Sequence, residues 1–117
     1  RPSGGRAELS LMLLGGAAGG IDDNIRNWYR QMRLDPPDAA TIAGLETVEV
    51  LGEVSPLVEI YGNYSGMGYP DLDDAGLLGA FGRLPGQLLF IKMVGPRAEI
   101  EAERENFIRF CLSLTQR

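Results

Sequence analysis

Residues 88–114 constrain the fold of this chain more than any other stretch. Leu88, Leu89, Phe90, Ile91, Met93 and Val94 form a strand-like run that is apolar on both faces near its centre. The run stops at Gly95-Pro96. A glycine accepts turn conformations that side chains resist, and a proline suits the first position of a helix, where its missing N–H has no helical partner. Beyond it, Ile100, Phe107, Cys111 and Leu114 recur at three-, four- and seven-residue spacings and share one helical face. An amphipathic helix must therefore cover the middle of a sheet.

The rest of the chain supplies the other strands and a second helix. Ala7–Leu14 begins with alternation and ends apolar, which predicts a strand entering the core. Gly15–Gly20 (GGAAGG) is a connection. Ile21, Ile25, Trp28, Tyr29 and Met32 then form one helical stripe, with Asp22 and Asp23 complementing the dipole of the first turn. Asp35-Pro36-Pro37 is expected to end that helix, because the residue before a proline avoids the helical region. A polar stretch of about one turn leads to a strand at Leu45–Leu51, a tight turn at Gly52-Glu53 and a return strand at Val54–Tyr61, with Pro56 marking an edge or an end. From Gly62 to Gly76 the pattern collapses into a loop. Leu77–Phe81 and Leu88–Val94 then read as a hairpin about Pro85-Gly86. Strands joined by short turns, with helices set apart from them, predict an α+β fold: a mostly antiparallel sheet packed by helices. One domain of 117 residues accommodates it, with residues 1–6 frayed.

Composition narrows the chemistry. The net charge is −5 and the eleven Lys and Arg residues are scattered, so no basic field exists to hold a nucleic acid. There is no histidine, which removes the usual general base and the commonest metal ligand, and with them a hydrolytic triad of the usual kind. The single cysteine, Cys111, excludes an intrachain disulfide and lies on the apolar helix face, where it serves as a small hydrophobe. No apolar run is long enough to span a bilayer.

The motifs that imitate known sites each fail at a specific position. Gly15, Ala17 and Gly20 fall on the three glycine positions of a dinucleotide turn, but the middle one is alanine and Asp22-Asp23 would oppose a pyrophosphate. Asp71, Asp73, Asp74 and Gly76 imitate the start of a calcium loop, yet Gly82 stands where a bidentate Glu is needed. Lys92, the only lysine, lies in a strand and outside any S-x-x-K helix. No catalytic residue, cofactor or resident metal is assigned. The expected functional surface is a contact loop at 62–76, carrying Tyr61, Tyr64, Met67, Tyr69, Asp71, Asp73 and Asp74. Long aperiodic loops are often functional, and interfaces favour Tyr and Met.

Gly19-Gly20, Asn24-Ile25, Trp28, Gln31-Met32, Leu34 and Pro36 resemble the "GG…N-v-x-R-W-x-x-Q-l-x-L-x-P" segment of a family of bacterial exported proteins, often lipoproteins and frequent in planctomycetes. Val58–Gly62, Leu78-Gly79-Ala80, Phe90–Met93, Gly95-Pro96, Phe107, Phe110 and Ser113-Leu114 continue the resemblance in order. The chain departs at Asn27, where the family has arginine, and at Leu89-Phe90, where it has an aromatic pair. The resemblance implies a PsbP-like α/β/α sandwich, an export signal or lipid anchor ahead of residue 1, and an envelope or periplasmic location. It implies a non-catalytic binding or assembly domain with a protein or small-molecule partner. The alternative is a small carboxylate-based or metal-dependent enzyme with its site near the 62–76 loop.

Overall fold

A computed structural model describes residues 8–15, 20–65 and 71–114. The elements in chain order are β1 (Glu8–Gly15), α1 (Ile21–Gln31), α2 (Ala39–Ala43), β2 (Thr47–Val50), β3 (Glu53–Pro56), β4 (Val58–Tyr64), β5 (Leu72–Leu84), β6 (Gln87–Pro96) and α3 (Arg97–Ser113). The fold is α+β. A four-stranded antiparallel sheet runs in the order β1-β6-β5-β4, and β2 and β3 form a separate hairpin. No helix among the described residues is long and apolar enough to cross a membrane.

Alternation along β5 and β6 divides the core between the two sheet faces. On one, Leu77, Phe81, Phe90 and Val94 meet Ile25 and Trp28 of α1, Met32 just past its end and Ile42 of α2. On the other, Leu78, Ala80, Ile91 and Met93 meet Ile100, Phe107 and Cys111 of α3, with Val48 and Val50 of β2 completing the layer. The stripe expected on α3 is thus the buried one. Trp28 is 3% exposed; its ring stacks on Phe81 at 4.9 Å and meets Phe90 edge-on. This close approach requires Gly79, because a Cβ there would lie 2.1 Å from the Trp28 ring.

Several expected boundaries move, each because pairing supplies what local pattern does not. β5 extends to thirteen residues, so 62–64 and 72–76 are strand and not loop. Asp73, Asp74 and Gly76 advertise no strand, but Gly62 and Tyr61 on one side and Pro96 and Gly95 on the other pair with Ala75 and Gly76. The expected return strand Val54–Tyr61 divides at Leu57 into β3 and β4, which belong to different sheets. Pro56 stands at that division, and the Leu57 N–H instead donates to the Glu46 carbonyl at 2.7 Å. The hairpin turn is Leu51-Gly52, not Gly52-Glu53; φ is +54° and +82°, the pair of positive angles that matches strand twist. Helix α1 ends at Gln31, ahead of the prolines, where Arg33 turns the chain at φ +59°. Gly95 remains in β6, opposite Gly76, and Pro96 caps α3 from outside its first turn.

β1 departs most. The expected strand lies at the sheet edge beside β6, with Leu9, Leu11, Met12 and Leu13 about half exposed.

Candidate functional site

Of the residues expected on a contact loop, Tyr61, Tyr64 and Asp74 are held by the protein's own interactions. Tyr64 is the last residue of β4 and only 1% exposed. Its hydroxyl accepts a hydrogen bond from Lys92 Nζ at 3.1 Å, and the same ammonium donates to Gln31 Oε1 at 2.7 Å. Burial lowers the Lys92 pKa to about 8.

Tyr61 lies on the α3 face of the sheet. Its hydroxyl donates to Glu59 Oε2 at 2.7 Å, and the Arg97 guanidinium sits 4.5 Å above its ring. Burial and then the Glu59 carboxylate raise the Tyr61 pKa. Arg104 Nε donates to Glu59 Oε1 at 2.9 Å while Nη2 reaches Glu46 Oε1 at 2.6 Å. Burial opposes ionisation of Glu59, but the donors Tyr61 and Arg104 outweigh it and its pKa falls below the usual value.

Asp74 accepts from Arg97 Nε at 2.8 Å, and its N–H donates to Asn63 Oδ1 at 3.0 Å. Asp71 and Asp73 are exposed. No group of three acidic or sulfur side chains able to hold a metal ion occurs among the described residues. Met67 and Tyr69 lie outside the described residues, as do positions 16–19 of the glycine connection.

An open cleft of about 300 Å³ lies between α2 and the β2–β3 hairpin, walled by Ile42, Leu45, Val54 and Pro56. Asp22 and Thr47 are the polar side chains of its lining. One carboxylate and one hydroxyl lack the paired acid and base that proton transfer in both directions requires.

The surface that pattern reasoning missed is the outer edge of β1. All eight of its residues pair in unbroken register with β6, from Glu8 opposite Val94 to Gly15 opposite Gln87. Its other edge meets no strand among the described residues. Leu9, Leu11 and Leu13 are opposite Met93, Ile91 and Leu89, so they share the α3 face; Met12 is opposite Phe90 on the α1 face. They remain 43%, 52%, 50% and 54% exposed, in that order. In sequence this stretch looks like a core strand, and the signal that it is not buried lies only in which strand adopts it as a neighbour.

No protein-family model, curated protein or solved structure matches the chain.

Proposed function

We propose that this chain is a non-catalytic assembly domain of an exported or envelope-associated protein, built on a PsbP-like α/β/α sandwich, and that it joins its partner through the outer edge of β1. The observation that carries the reading is the half-exposed apolar row Leu9, Leu11, Met12 and Leu13 on an edge strand whose outer side meets no strand among the described residues. Such an edge offers a ladder of backbone donors and acceptors together with apolar side chains on both faces, the two components of strand addition. The family resemblance supports the envelope setting. The placement of α1 and α3 against opposite faces of one antiparallel sheet supports the sandwich.

Photo-crosslinking tests the docking edge. A benzophenone amino acid at position 11, in the protein expressed in its native cells, is expected to capture a covalent protein adduct. The same probe at exposed Glu49, on the hairpin, is expected to give none. Adduct formation at position 49 with none at position 11 would remove β1 from the interface.

A further inference from the structure

Resting on that reading of the β1 edge, we infer that the partner is a second copy of this chain, paired antiparallel through β1 with Leu11 on the two-fold axis. Two antiparallel strands related by a two-fold axis must have that axis normal to the sheet, so each face of one sheet continues as the same face of the other. Residues directly opposite each other then have an even sum of numbers. With Leu11 on the axis, Leu9 faces the partner's Leu13, Leu11 faces the partner's Leu11, and Leu13 faces the partner's Leu9. Every cross-strand pair on the α3 face is thus leucine on leucine, and Ser10 opposite the partner's Met12 lies on the other face. The two sheets become one of eight strands, and the leucines line its floor between the two α3 helices.

Charge is compatible with this occupant, and area sets it at the weak end of specific contacts. No charged residue lies between Leu9 and Leu14, so nothing in that stretch repels its own image. Glu8 falls opposite the partner's Leu14, which separates the two Glu8 backbones by about 20 Å, beyond the screening length at physiological salt. The four half-exposed apolar side chains hold on the order of 300 Å² per protomer, to which an eight-residue backbone edge adds; specific interfaces begin near about 600 Å² per partner. An interface near or below that bound belongs with weak, transient contacts. With −5 on each protomer, added salt is expected to strengthen it.

Sedimentation equilibrium of the purified chain, from low micromolar to several hundred micromolar, is expected to show a monomer–dimer equilibrium. Leu11→Lys places two ammonium groups face to face and is expected to weaken it roughly tenfold or more, with the melting temperature below the association midpoint unchanged. Cysteine pairing reads the register and does not depend on that variant. Leu11→Cys is expected to form a disulfide dimer under mild oxidation. Leu9→Cys is expected to pair with Leu13→Cys when the two are mixed, and not with itself, because the two Leu9 positions lie about 14 Å apart; Cys111 is buried and does not compete. A wild-type chain that stays monomeric throughout overturns the inference. If the probe at position 11 still captures a different protein in cells, the edge reading survives that failure; without any adduct both fall. A dimer whose cysteines pair in another register also overturns the inference as stated.

Discussion

The two edges of the main sheet are built on opposite principles. At the β4 edge several devices block further pairing. The ladder between β4 and β5 shifts register between Gly62 and Tyr64, which bends the strand out of line. Just beyond β4 the Ser65 N–H donates to the Gln31 carbonyl at the end of α1, and Leu57, just before it, is tied to Glu46. Where β4 stops accompanying β5 at Gly79, the buried Ser55 hydroxyl accepts from the Phe81 N–H at 2.9 Å. Arg104 and two glutamates fence the remaining approach. The β1 strand pairs with β6 without a bulge and carries no charged residue from Leu9 to Leu14. Among the described residues the protection seen beside β4 has no counterpart beside β1, which is the reason for assigning β1 to assembly.

If that contrast is right, damage at the closed edge should cost stability and leave association intact. Tyr64→Ala empties a fully buried site and takes away the hydroxyl that accepts from Lys92. A loss of about 3–4 kcal/mol is expected, with Trp28→Ala at about 3–5, both read by urea unfolding. A Tyr64→Ala chain that melts like wild type but no longer self-associates would invert the comparison. Gly79→Ala comes next. Its Cβ collides with the Trp28 ring, which is held between Phe81 and Phe90, so the ring or the helix must shift at a cost of about 1–3 kcal/mol.

These same residues show what could be read from the sequence. Trp28, the α1 stripe, Ile100, Phe107 and Cys111 announced themselves by helical spacing, because a helix carries its own period whatever it packs on. The strands were legible where apolar residues alternate and illegible where partners decide, as at Asp73–Gly76 and at the break in Leu57. One residue of the expected contact loop sits differently for a related reason. Tyr64 looks like a surface residue in a Gly-Asn-Tyr-Ser run, and only the approach of α1 and Lys92 buries it. Conversely, Leu9–Leu13 reads as core by composition, because hydrophobicity does not say whether a strand will be central or at an edge.

A milder prediction asks whether the α1 face is closed to water near Tyr64. Lys92 has a pKa of about 8 in the folded chain and 10.5 as its ordinary value, so above pH 8 the unfolded chain holds the extra proton. Stability should therefore rise with pH in this range, and should lose that contribution as pH falls through 8. Burial raises the Cys111 thiol to about 11 from 9.0, so its contribution declines only above pH 9. Between pH 8 and 9 the melting temperature of wild type should climb relative to that of Lys92→Met. Parallel curves would mean that water reaches the ammonium and that this side is less closed than the other contacts require.

The smallest expected effect on stability is the most telling one for the open edge. Leu11 is about half exposed, so a lysine there keeps its stem on the surface and its charge in water. The folded monomer should change by no more than about 0.5 kcal/mol, an order below Tyr64→Ala. Measured well below the association midpoint, urea unfolding of Leu11→Lys should thus superimpose on wild type. At high concentration the wild-type curve alone should move to higher denaturant, since only that chain gains from mass action on the folded state. Equal shifts in both chains would place the stabilising contact somewhere other than β1, and the contrast between the two edges would then say nothing about assembly.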